Sequence, residues 1–333
     1  MPLSPLQTRN ADALRNFVAG REQLRSYLTS GNGDSLKMAR ESFNEATKFD
    51  PRFQLAVFYR SVVASELRDA DAAIQGFEEL LKASTDFRAE VLLQLAYAHI
   101  KRYRDDDYFK AEQFLTDGRR AAKDHGQKEL VVMADALKVF LYSVMGGRLS
   151  NRSSRLGYLE QAVRLGEGLL IDQTEFENGI PTEARFEVLN GLGIAYTRKG
   201  EKMPASRQEF WTTAEARLKE ALDLRPTSVR AMQNMGLLQG MQGFEALHDG
   251  KSDQAGVFFQ QARDRYRESL DLNPNDQYPH YRMSQLSAVA GDWEEARRYF
   301  ASGQKQNGAV KPEEWSKLQA AIDRHDASGI DWL

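Results

Sequence analysis

Residues 214–226 read AEARLKEALDLRP, and residues 262–274 read ARDRYRESLDLNP. Laid over each other, they keep small, large, small and end positions at one spacing: Ala214, Leu218, Ala221 and Pro226 against Ala262, Tyr266, Ser269 and Pro274. Residues 39–51, ARESFNEATKFDP, repeat the spacing with Ala39, Phe43, Ala46 and Pro51. Steps of three and four residues place side chains on one face of a helix. Proline ends that helix, because it drives the residue before it out of the α region. Three copies of one spaced pattern make an internal repeat, a unit that buries its apolar face on its neighbours.

A matching upstream half stands at 189–200, LNGLGIAYTRKG, with Leu189, Leu192, Gly193 and Tyr196 at the spacing L-x2-L-G-x2-Y. Together the two halves resemble the tetratricopeptide repeat, with leucine in the usual tryptophan place. The resemblance implies an all-α solenoid, a right-handed superhelix of about seven helix pairs with a C-terminal capping helix. In physical terms, small residues such as Gly193, Gly236 and Ala39 let paired helices approach. Large ones such as Tyr196, Phe43, Leu218 and Tyr266 fill the space beside them.

The rest of the chain falls into the same frame. Residues 1–10 carry Pro2 and Pro5 and read as a flexible start. Residues 11–125 read as N-terminal repeats, the first with an apolar stripe of Leu14, Phe17, Val18, Leu24 and Leu28. Residues 126–181 hold two strong helices in a divergent repeat, then the loop IDQTEFENGIP. Residues 182–306 are C-terminal repeats, with KGEKMPASRQ (199–208) read as an insertion. Residues 307–333 are a capping helix, with Trp315, Leu318, Ala321 and Ile322 on its apolar face, and a tail ending on Trp332 and Leu333.

Composition narrows the function. The net charge is −3, without the basic stripe of a nucleic-acid binder. There is no cysteine, so disulfide and thiolate chemistry are excluded. The N-terminus lacks a secretory apolar core and no run of 18 apolar residues occurs, so a cytoplasmic protein with no membrane partner is expected. No metal-binding, phosphate-cradling or nucleophile-elbow motif is present, and no cofactor is expected. The five histidines are scattered; His99 stands at a packing place. Asp105, Asp106 and Asp107 read as a solvated acidic turn rather than a cation loop.

These readings point to a non-catalytic scaffold, adaptor or regulatory subunit that binds a peptide or helix of a partner protein on its concave surface. In the resembled family, a peptide carboxylate can be clamped by lysine and asparagine on one first helix, asparagine on the next, and lysine and arginine on the third. Carried over position by position, the first lysine place holds Asn190 and its asparagine place Ile194. The next asparagine place holds Asn234, and the third helix holds Tyr278 in the lysine place and Arg282 in the arginine place. Two of the five places are kept. Asn234 can grip a peptide backbone with donor and acceptor, and Arg282 presents a planar fork to a carboxylate. Arg230 adds charge and Tyr278 and Tyr281 add aromatic contact area, completing a candidate peptide-binding set of Asn190, Arg230, Asn234, Tyr278, Tyr281 and Arg282. Those polar side chains could equally be satisfied within their own repeats.

Three other functions are weighed against this one. An α/α-toroid carbohydrate-processing enzyme needs two facing carboxylates, and nothing singles out a pair among acids such as Glu175, Glu177 and Glu201. An RNA-reading array repeats its code residues; the corresponding places hold Phe58, Leu93, Asn190, Gln233 and Tyr281, which share no code. Self-association is open to a tail that ends on Trp332 and Leu333.

Overall fold

The computed structural model of the chain describes residues 8–83, 87–171, 179–306, 308 and 310–330. Among these residues there are α-helices, short 3-10 turns and no strand. The helices come in consecutive antiparallel pairs: α1 (Ala11–Ser30) with α2 (Gly33–Phe49), α3 (Gln54–Glu66) with α4 (Ala70–Ala83), and α5 (Arg88–Arg102) with α6 (Asp105–Asp124). Next come α7 (Lys128–Arg148) with α8 (Arg155–Ile171) and α9 (Thr182–Lys202) with α10 (Arg207–Leu224). The last pairs are α11 (Val229–His248) with α12 (Ser252–Leu272) and α13 (Gln277–Val289) with α14 (Trp293–Gln304); a final helix, α15 (Pro312–Arg324), packs on α13 and α14. The chain is thus an all-α array of helix pairs of the tetratricopeptide-like solenoid class. It divides into two compact units, Met1–Gly191 and Leu192–Leu333.

The spacing read from the sequence is the packing rule of the pairs. Phe43, Leu218 and Tyr266 have no exposed surface. Each faces a glycine on the partner helix of its pair. A Cβ on Gly20 would lie 2.8 Å from Phe43 Cε1, on Gly193 2.5 Å from Leu218 Cγ, and on Gly236 3.0 Å from Tyr266 Cε1. The flanking positions Ala39, Ala46, Ala214, Ala221, Ala262 and Ser269 are equally buried. Local caps set the helix starts: Asn10 accepts from the N–H groups of Asp12 and Ala13, Ser228 from Ala231 and Asp292 from Glu295.

Some details differ from expectation. The buried stripe of α1 is Ala13, Phe17, Gly20 and Leu24, while Val18 and Leu28 face out. A turn of 3.6 residues brings Gly20, not Val18, under Phe43. The stretch 199–208 is not an inserted loop: α9 runs through Lys202, a 3-10 turn covers Pro204–Ser206, and α10 begins at Arg207. α7 is long and apolar enough to cross a membrane, with a mean hydropathy of 1.6 over its apolar window, and 67% of that window is buried inside the protein. Of the sequence expectations, those for residues 1–7, the loop at 172–178 and the terminal Trp332 and Leu333 lie outside the described residues.

Candidate functional site

In the second unit, α13 begins at Asp276, whose carboxylate accepts the N–H of Tyr278 at 3.1 Å and the amide of Gln233 on α11 at 2.9 Å. That bond ties the start of α13 to α11. Tyr278, in the first turn, and Arg282, one turn further on, stack along the same face. The guanidinium of Arg282 donates to the Tyr278 hydroxyl at 3.0 Å and to Gln285 Oε1 at 2.9 Å. It also lies over the rings of Tyr278, at 5.1 Å, and Tyr281, at 5.6 Å. Gln285 in turn donates to the Tyr281 hydroxyl at 3.0 Å. Burial works against the charge of Arg282, and the facing phenols outweigh it, so the pKa is raised and the group stays charged. Burial holds the neighbouring Tyr266 phenol well above its ordinary value, and hence neutral.

The six sequence candidates do not all share one surface. Asn190 is fully buried and belongs to the first unit. Tyr281 and Arg282 are each only 6% exposed and form a base rather than an outer contact. Arg230, Asn234 and Tyr278 keep partial exposure. The five places compared for an RNA code, Phe58, Leu93, Asn190, Gln233 and Tyr281, are all buried. That register samples packing positions and says nothing about a ligand-facing code.

A second feature of this unit was not read from the sequence. A cavity of about 580 Å³ opens among α10, α11 and α12, lined by the buried Met232 and Met235 together with Leu222 and Pro226. Gln239 lines it with a side-chain oxygen that has no hydrogen-bond partner. Its rim mixes signs, with Lys219 and Arg265 beside Asp223 and Glu268. At roughly 100° per residue, Met232, Met235 and Gln239 fall on the side of α11 opposite Arg230 and Asn234. The readable signal was the methionine pair three residues apart, adaptable side chains suited to variable contacts.

The first unit holds a buried charged cluster. His99 on α5 and Asp107 on α6 are each 2% exposed, and His99 Nδ1 meets Asp107 Oδ1 at 2.9 Å. Arg102 grips the same carboxylate in a fork at 2.7 and 2.6 Å and reaches Asp71 on α4 at 2.6 Å. The acidic run 105–107 is therefore not a solvated turn. It forms the first turn of α6, where the helix dipole favours carboxylates. Asp107 points inward to bind α5, and Asp105 accepts the N–H of Ser150 at 3.0 Å. Among the described residues, no group of three or more His, Asp and Glu is arranged to hold a metal ion.

Burial pulls the pKa of His99 below its ordinary 6.5, against the pull of Asp107, whose charge Arg102 already offsets. The unfolded chain then takes up a proton near 6.5 that the folded chain refuses until lower pH. The unfolded state therefore binds more protons as pH falls, and the stability from this site is full above 6.5 and declines below it. Urea titrations at pH 7.5 and 5.5 should show lower stability at 5.5, by a margin reduced in His99→Gln. An equal pH response in the variant would contradict this.

No family model matches the chain. The photosystem I assembly protein Ycf3 of Synechococcus sp. strain WH7803 is 26% identical over 147 residues, covering 44% of this chain and 74% of that protein. Among solved structures, a tetratricopeptide repeat protein from Parabacteroides merdae is 10% identical, with 94% of this chain and 99% of that one covered at a TM-score of 0.48. The human IFIT1 dimer with m7Gppp-AAAA is 13% identical, with 98% and 76% covered at a TM-score of 0.46.

Proposed function

We propose that the chain is a non-catalytic protein-interaction module that holds a segment of a partner protein against the first-helix face of its second unit. The observation that carries this is the Arg282 guanidinium, fixed between Tyr278, Tyr281 and Gln285. Set just beneath the face, this preorganised cation favours an acidic side chain or a terminal carboxylate above it through its field, at little ordering cost on the protein side. Arg230 and Asn234 on α11 and Tyr278 on α13 supply the outer contacts; Tyr281 and Arg282 act from beneath. Asn190, fully buried in the first unit, has no part in it. The similarity over 147 residues to a protein named for assembly supports an interaction role.

Arg230→Ala with Asn234→Ala tests this face without disturbing the buried base. The partner retained by the wild-type chain should bind the double variant at least tenfold more weakly, at unchanged helix content by circular dichroism. Equal binding would overturn this placement. A second reading is favoured by the methionine-lined cavity on the opposite side of α11. In that case Met235→Ala or Gln239→Ala, and not the Arg230/Asn234 pair, should weaken the partner.

A further inference from the structure

The cavity among α10, α11 and α12 lies wholly within the second unit. Its volume of about 580 Å³ falls in the range of small-molecule sites, roughly 300–1,000 Å³. Leu222, Pro226 and Met232 give it apolar surface, and methionine adapts to the shape of what it touches.

The charged residues at its rim are not equivalent. Lys219 Nζ is held by Glu215 on its own helix at 2.7 Å, and the Arg265 guanidinium by Glu268 at 2.8 Å. Asp223, exposed on the last turn of α10, pairs with no cation or donor among the described residues. With Glu215 included, three carboxylates face two cations, so one negative charge is unmatched. An incoming anion must displace a carboxylate from Lys219 or Arg265. An incoming cation finds Asp223 already open. Gln239 adds a second acceptor. Its side-chain oxygen is turned inward without a partner, an arrangement that costs the folded chain stability. Because the residue borders the cavity, half a turn of its terminal amide brings that oxygen to the ligand side.

We propose that this cavity binds a small organic cation, a protonated amine carried on an apolar body. The body lies against Leu222, Pro226 and Met232, and the ammonium donates to Asp223 and Gln239. An ammonium has donors and no acceptor, and the two open groups are acceptors. The single unmatched carboxylate sets the sign of the ligand. The site lies on the side of α11 opposite Arg230 and Asn234 and needs no partner protein. It therefore stands or falls separately from the function proposed above.

The test uses the full chain with 13C-methyl methionine, the Met232 resonance being assigned by its loss in Met232→Leu. Phenylpropylammonium, phenylpropanol and phenylpropionate are titrated separately at matched ionic strength; they share one apolar body and differ in charge. The ring current of the phenyl group reports its approach to Met232. A saturable shift is expected with the ammonium, and binding about fivefold or more weaker with the alcohol and the carboxylate. Asp223→Asn should weaken the ammonium about fivefold or more. Asp253→Asn, which removes an exposed carboxylate at the start of α12, should leave it unchanged. Asp223 is exposed and unpaired among the described residues, so its variant keeps the fold, as an unchanged melting temperature would verify. No saturable shift with the ammonium, equal binding of the alcohol or the carboxylate, or an Asp223→Asn effect no larger than that of Asp253→Asn would overturn the proposal.

Discussion

Replacing Asp107 with alanine should destabilise the chain by about 3–5 kcal/mol, the range found when one member of a buried charged cluster is removed. Asp107 receives two donors from Arg102, at 2.7 and 2.6 Å, and one nitrogen of His99, at 2.9 Å, in a site 2% exposed. Without the carboxylate, His99 Nδ1 has lost its acceptor in the interior. Arg102 keeps Asp71, whose side chain is 71% exposed and therefore screened by water. The cost falls on the join between α5 and α6, which this cluster fastens to α4. Asp106→Ala, one residue away on the exposed side, should change stability by less than about 0.5 kcal/mol. Urea denaturation at pH 7 compares the two directly. A loss below about 1 kcal/mol for Asp107→Ala would mean that the cluster is not held as described.

Gly193→Leu should cost about 1–3 kcal/mol or more through overpacking. Even a Cβ at Gly193 would sit 2.5 Å from both Cγ and Cδ2 of Leu218, a side chain with no exposed surface. Leu218 cannot retreat, because Trp211, Ala214, Met235 and Leu238 pack in the same cluster. Gly256 in α12 is a control of opposite sign, since a Cβ there would meet nothing within 4 Å. Gly256→Ala should stabilise by roughly 0.4–1 kcal/mol by restricting the unfolded chain. Thermal melts of the two variants beside the wild type check both signs. An unchanged melting temperature for Gly193→Leu would mean that α9 and α10 do not pair in this register.

The helix pairs were legible because their cause is local and repeated. Ala39–Phe43–Ala46, Ala214–Leu218–Ala221 and Ala262–Tyr266–Ser269 each write one helix face, and proline marks its end. What could not be read depends on neighbours distant in sequence. Asp107 looks like its exposed neighbours in an acidic run; only the placing of Arg102 and His99 beside it turns it inward. The burial of Arg282 under Tyr278 and Tyr281 is likewise set by how α13 lies on α12 and α15. A carried-over motif gives such a residue its place on the helix and not its depth. Asn190 shows the same limit, occupying the clamp's lysine place in register without matching it, while packing inside the first unit. The left-handed turns at Arg68 (φ 65°) and Tyr103 (φ 58°) could not be read either, because such a turn is usually written in sequence by glycine, and here it is not.

The central claim, that the first-helix face of the second unit holds a partner segment, is tested most directly by site-specific photo-crosslinking in the cells that make the protein. A benzophenone amino acid would replace Asn234 in one chain, Gln239 on the opposite side of α11 in a second, and the exposed Gln260 of α12 in a third. A discrete protein adduct at position 234, absent at 239 and 260, is the predicted result. Adducts at 239 or 260 with none at 234 would contradict it.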